Sequence, residues 1–347
     1  MIGRNKREIS GIGGGLWIAN GELPISFSAV KVHSASFVVA VLFAAFTYSI
    51  QASAQADTFG TSSNEFTIDF VDIGNAGNAA DTTTYGAVPY EYRMGKNEIS
   101  QLQITKATQI GMAHVSAGAW TGSQPAADIT WYEAAAFVNF LNTNSGRTAA
   151  YNLTFTAYEG TFSGIWSMAL WSSEQAWTAG GTNLYRNKDA FYFLPSENEW
   201  YKAAYYNAAG TNYFLYPTAS SSVPTPVASG TDAGSAVYNN ATPVPATVNS
   251  AGGLSPYSTM GQGGNVWEWN ESAFNGTNSS SSEFRAIRGG YWGATEGGVR
   301  SSYRFDLGPA DGGNDLGFRV ASVPEPSTYA LLAMTAAGAL WMTRRRR

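Results

Sequence analysis

Between Phe59 and Ile73 the apolar residues fall on alternate positions, with Phe66, Ile68 and Phe70 on one side. This two-residue period predicts a strand with one buried face. A run of Gly, Asn, Ala and Thr then predicts a loop as far as Tyr85. Three helix starts are written as capping boxes, in which a hydroxyl accepts from the first free amides and a side chain three residues later reaches back. They are Ser100 with Gln103, Thr130 with Glu133, and Ser196 with Glu199. After Thr130 the apolar residues Ala134, Phe137, Val138 and Leu141 follow at helical spacing, and Gly146 stands beyond the end. The pattern after Ser196 continues through Trp200, Ala203 and Ala204. Elsewhere aromatic residues and glycines recur without a helical period. The stretch Ser220–Pro245, rich in Ser, Thr, Pro and Ala, predicts a long surface loop.

Both ends carry apolar runs of a different kind. Lys31 and His33 precede Phe37–Phe46, and the small-residue patterns Ala52-Ser53-Ala54 and Ala54-Gln55-Ala56 follow, as in a signal peptide. The run from Phe37 to Ile50 is shorter than the ~20 residues a bilayer core requires. Residues 1–56 therefore read as an extension plus an export signal, with a mature start near Gln55 or Asp57. Residues 1–29, Gly-rich with Arg4, Lys6 and Arg7, read as an over-extended start upstream of it. At the other end Val323-Pro324-Glu325-Pro326-Ser327 leads into an apolar stretch, Tyr329 to Met342, and then Arg344, Arg345, Arg346 and Arg347. A short apolar span followed by a cationic cluster is a stop-transfer pattern, held on the cytoplasmic side by its arginines. In that order, residues 322–347 resemble the PEP-CTERM sorting signal of Gram-negative envelope proteins. The resemblance implies recognition by an exosortase, transient membrane residence, removal of the tail, and delivery to the cell surface or an extracellular polysaccharide matrix.

Composition narrows the chemistry. Hydrophobic residues make up 44% and charged residues 13% of 347, so the bulk of the chain has a core to bury. The 38 Gly and 13 Pro, without a three-residue period, indicate a loop-rich globule. Cysteine is absent, which removes disulfides, thiolate nucleophiles, and zinc-thiolate and iron–sulfur sites. Only His33 and His114 are present, too few for a site built from several imidazoles. From Asp57 to Val323 there are 22 Asp and Glu against 12 Lys and Arg, a net charge near −10 that argues against nucleic acid as partner.

Several blocks occur in a fixed order: Met94-Gly95-Lys96-Asn97-Glu98-Ile99, Ile129-Thr130-Trp131-Tyr132-Glu133-Ala134-Ala135, Phe193–Ala204, Gly263-Gly264-Asn265-Val266-Trp267-Glu268-Trp269, Arg288-Gly289-Gly290-Tyr291-Trp292 and Leu316-Gly317-Phe318-Arg319-Val320. Together they resemble the signature of the formylglycine-generating (sulfatase-modifying factor) family, from about Val88 to Ala321. The resemblance implies one domain, residues 57–321, with an α+β, C-type-lectin-like fold that is loop-rich, with a few short helices and small antiparallel sheets. The family's oxidation of a substrate cysteine uses a copper-binding cysteine pair after the Arg-Gly-Gly block. Here Tyr291–Arg300 holds no thiol, so formylglycine generation is excluded. A related iron-dependent branch needs a histidine cluster that His114 alone cannot supply. No copper, haem or nucleotide is expected.

The resemblance also implies a structural calcium, held by the carbonyls of Gly264 and Val266 and the carboxylate of Glu268, although Gly261 and Val237 fall where further ligands are expected. Without metal, Glu268 would pair with an arginine such as Arg288 or Arg304. Tyr291, Trp292, Glu296, Arg300, Tyr303 and Arg304 line the family pocket and are the ligand-binding candidates. Glu197 and Glu199 suggest a glycosidase pair, but residues two apart at a helix start point different ways, and capping explains Glu199. Trp171, Trp177, Tyr185, Tyr206, Tyr213, Tyr216 and Tyr257, in polar context, could stack on sugars or fill the core. Trp267 and Trp269 alternate, so one should face in and the other out. The reading that follows is an exported, surface-sorted binding or structural module for extracellular polysaccharide or envelope proteins. The alternatives are an enzyme of unrecognised chemistry using Glu296, Arg300, Tyr303 and Arg304, and a subunit that borrows a metal or thiol from a partner.

Overall fold

The alternation at Phe66, Ile68 and Phe70 becomes the strand Phe66–Ile73, with these three side chains buried and the residues between them exposed. A computed structural model describes residues 55–115, 118–159, 163–239 and 243–324. The export signal upstream, and Glu325, Pro326, the apolar stretch and Arg344–Arg347 downstream, lie outside the described residues. Among the described residues no helix is long and apolar enough to cross a membrane.

Two sheets frame the domain. The first is antiparallel, in the order Gln55–Phe59, Phe66–Ile73, Tyr92–Gly95, Ala321–Ser322, Tyr192–Phe193. The second has the order Phe305–Leu307, Arg285–Arg288, Trp267–Ala273, Leu316–Gly317, and its last pairing is parallel. Each predicted helix start is present as a complete capping box, for α1 (Gln101–Gln109), α2 (Trp131–Asn144) and α3 (Glu197–Tyr205). Helix α2 buries Trp131, Phe137, Val138 and Leu141, and the core continues through Trp269, Ile287 and Phe318. The Thr130 hydroxyl accepts from the Glu133 amide at 3.1 Å, and the Glu133 carboxylate accepts from the Thr130 amide at 2.9 Å. Replacing Thr130 by Ala removes one half of this exchange. The expected cost is about 1 kcal/mol, read as a fall of roughly 2–4 °C in a thermal melt.

The predicted surface loop Ser220–Pro245 is only partly one. Residues 235–238 are buried, and Ser235–Ala236 pairs in parallel with Thr225–Pro226. Its polar composition indicated solvent, but the backbone lies against Gly264, and the Val237 carbonyl accepts from the Asn265 amide at 2.8 Å. Gly264 permits this approach. Its φ is +87°, and a Cβ there would collide with the Val237 carbonyl.

The core also holds charge. Arg93, Arg186, Arg285, Arg288 and Arg319 are among the largest fully buried side chains. Arg93 reaches Asp57 with two bonds of 3.0 and 2.6 Å, which ties the first strand to the third. Such groups stay inside only when paired or hydrogen-bonded.

Candidate functional site

Glu268 lies in the strand Trp267–Ala273, between a half-buried Trp267 and a fully buried Trp269, so the expected alternation holds. The register sets Glu268 opposite Gly317, and Arg319, two residues on, points to the same face. Arg319 Nε donates to Glu268 Oε2 and its Nη2 to Oε1, both at 2.6 Å, while Trp200 Nε1 donates to Oε2 at 2.7 Å. The expected partners Arg288 and Arg304 are instead both turned to Glu197.

Calcium does not fit this arrangement. Both carboxylate oxygens of Glu268 are committed to a guanidinium, a Ca²⁺ ion takes 6–8 oxygen ligands, and a second cation beside buried Arg319 would be repelled. The carbonyls of Gly264 and Val266 alone cannot supply the site. Among the described residues no group of three or more His, Asp or Glu could hold a metal. The space over Gly261 belongs to Glu98, whose carboxylate a Cβ at Gly261 would strike. Glu98 Oε1 accepts from Asn265 Nδ2 at 2.9 Å, and Oε2 has no partner. Burial, with Glu268 adding to it and Arg319 opposing, pushes the Glu98 carboxyl up to about 7.

The six pocket candidates separate into three places. Glu296 and Arg300 pair with each other at 2.9 Å near the surface and share the Tyr216 hydroxyl. Arg304 leaves them to bind Glu197 at 2.7 Å, together with Arg288. Tyr291, Trp292 and Tyr303 join two residues that the sequence did not bring to them, Trp267 and Trp120. The Tyr303 and Trp267 rings stack at 5.7 Å, Trp267 and Tyr291 at 6.5 Å, and Trp292 meets Tyr291 and Trp120 edge-on at 5.4 Å each. Tyr303 is 43% exposed, Trp120, Trp267 and Tyr291 are half-buried, and Trp292 is buried as the anchor. Backbone contacts fix the row: Trp267 N donates to the Asp315 carbonyl at 2.7 Å, Trp292 N to the Asn265 carbonyl at 3.0 Å, and Trp120 Nε1 to the Asn314 carbonyl at 2.6 Å. The outward Trp267 was readable from its alternation with Trp269. Trp120 carried no signal beyond an aromatic ring in a polar loop.

The other candidates are structural. Tyr185, Tyr206 and Tyr216 are core residues. His114 stacks on Phe155 at 3.8 Å. Glu197 and Glu199 both bind buried arginines.

Residues 44–323 match the sulfatase-modifying factor enzyme 1-like domain. The chain belongs to this family. Residues 322–347 match the PEP-CTERM protein-sorting motif, which implies exosortase processing and export to the cell envelope or surface. Among solved structures the chain is similar to Treponema denticola variable protein 1, with TM-score 0.51 and 21% identity over 78% of this chain and 100% of that one. It is also similar to CarF, with TM-score 0.52 and 18% identity over 74% of this chain and 99% of that one. No curated protein matches. The fold is thus the expected α+β, C-type-lectin-like one of the formylglycine-generating family. In this sulfatase-modifying-factor domain three of the five rings, Tyr291, Trp292 and Tyr303, lie in the segment after Arg288-Gly289-Gly290. With no thiol in the chain, copper-thiolate oxidation is not available to it.

Proposed function

We propose that this exported domain is a non-catalytic binding module that holds a chain of extracellular polysaccharide along the row Tyr303, Trp267, Tyr291, Trp292 and Trp120. The observation that carries the reading is the row itself: five rings in continuous contact, open to solvent at Tyr303 and braced beneath by Trp292. Rings held rigidly lose little entropy when a sugar stacks on them, and their apolar faces match the C–H faces of pyranose rings. The segment's own ionic groups, Glu296 and Arg300, neutralise each other and leave stacking as the main attraction. Export to the cell envelope or surface, implied by the sorting motif, would bring the domain to extracellular polysaccharide.

The test is affinity electrophoresis of the processed protein through gels containing the producing cells' extracellular polysaccharide. Saturable retardation is expected, unchanged by a calcium chelator. Tyr303→Ala, a surface change, is expected to weaken binding about fivefold, or about 1 kcal/mol. Absence of retardation, or a Tyr303→Ala protein that binds like the parent, overturns the reading.

A further inference from the structure

A cavity of about 310 Å³ opens at the N-terminal end of α3. Its walls include four half-buried rings, Tyr85, Tyr90, Trp177 and Phe274, with Asn198 and Arg304 between them. The rings are held firmly. Trp177 meets Tyr90 edge-on at 5.2 Å, and the Arg304 guanidinium lies 3.6 Å from the Phe274 ring centroid and 5.0 Å from that of Tyr85.

The polar groups of this cavity are sorted by type. The Glu197 and Asn198 oxygens are taken up inward: both Glu197 oxygens accept from Arg304 at 2.8 and 2.7 Å, Glu197 Oε1 also accepts from Arg288 Nε at 2.7 Å, and Asn198 Oδ1 accepts from the Gly86 amide at 3.0 Å. Its donors are left over. Asn198 Nδ2 and Arg304 Nη1 have no partner among the described residues. One carboxylate, Glu197, is shared by two guanidiniums, Arg304 and Arg288, which leaves Arg304 only partly neutralised by it. The neighbouring Arg186 is held by Glu199 and Glu271 at 2.8 and 2.7 Å, so its charge is met from within the core. Arg304, 19% exposed at its side chain, is the guanidinium that a ligand can reach.

Free donors, a guanidinium that shares its carboxylate and four rings select an acceptor-rich ligand with a negative charge and a flat apolar face. We propose that this cavity binds one carboxylate-bearing sugar unit, a uronic acid, with Arg304 and Asn198 meeting its oxygens and the rings enclosing the pyranose. The volume suits a small ligand, and a guanidinium matches a carboxylate better than it matches neutral hydroxyls. The site is separate from the row at Tyr303 and stands or falls without it.

The test is ligand-observed NMR titration of the processed protein with sodium glucuronate, glucose and acetate. Glucuronate is expected to bind at least tenfold more tightly than either of the others and to weaken severalfold at high salt. Trp177→Leu, which keeps an apolar wall, is expected to weaken glucuronate about tenfold, and Arg304→Gln more. If Arg304→Gln fails to fold, the Trp177→Leu result decides. Equal binding of glucose overturns the charge argument, equal binding of acetate overturns the sugar, and an unaffected Trp177→Leu protein overturns the site.

Discussion

Replacing Arg186 by leucine is expected to destabilise the domain by about 3–5 kcal/mol, a large part of the 5–15 kcal/mol that holds an ordinary domain together. Arg186 lies between two fully buried carboxylates. Its Nη1 and Nη2 donate to Glu199 at 3.0 and 2.8 Å, and its Nε and Nη2 donate to Glu271 at 2.9 and 2.7 Å. Its guanidinium also stacks 3.8 Å from the Phe193 ring centroid. The carboxylates have other donors, the Tyr90 hydroxyl at 2.7 Å on Glu199 and the Tyr151 hydroxyl at 2.8 Å on Glu271, but no second cation among the described residues. Burial raises both carboxyls; at Glu199 Arg186 outweighs burial and lowers it, whereas at Glu271 burial prevails. Leucine would leave two acids in the interior with nothing opposing their charge. Differential scanning calorimetry should show a melting point lower by roughly 6–20 °C, or no folded protein. Adding Glu199→Gln and Glu271→Gln to Arg186→Leu should restore part of the loss, because amides keep the hydrogen bonds and remove the charges. A single Arg186→Leu protein that melts within about 2 °C of the parent would refute the account.

Glu98→Gln is expected to act in the opposite direction, and only at neutral and higher pH. The Glu98 carboxyl is raised from 4.5 to about 7, chiefly by burial. Between those two values the folded protein holds a proton that the unfolded chain has released, so unfolding free energy falls as pH rises. Stability from this group is complete below about 4.5 and lost as pH passes 7. A difference of roughly 2.5 units at 1.36 kcal/mol each amounts to about 3 kcal/mol. Glutamine cannot titrate and keeps the acceptor for Asn265. Relative to the parent, Glu98→Gln should therefore be near neutral at pH 5 and melt roughly 6–12 °C higher at pH 8. A melting-point difference that stays constant across that range would show that Glu98 does not titrate in the folded state. Gly261 belongs to the same device, since only a residue without a Cβ leaves room for this carboxylate.

Local signals were readable with little loss. The strand at Phe66–Ile73 and all three capping boxes stand where short-range pattern puts them, because a cap joins residues three apart and a strand face needs only alternation. Ionic partners were less legible. Glu268 was expected to meet Arg288 or Arg304, and it meets Arg319, because the parallel pairing of Trp267–Glu268 with Leu316–Gly317 brings that arginine onto its face. Glu199 was read as a cap and is one, yet the same carboxylate also holds Arg186, a contact that the capping pattern does not express.

The sequence by itself determined the absence of thiol chemistry, the sorting address and the family, since each depends on which residues are present and in what order. Only the tertiary structure decided which rings form a surface. Trp120, Trp267, Tyr291, Trp292 and Tyr303 come from separate stretches and touch only after the sheet register and the loops beside it are set. It likewise separated Arg304 from Glu296 and Arg300, because folding brings Arg304 to the buried carboxylate of Glu197, which it shares with Arg288.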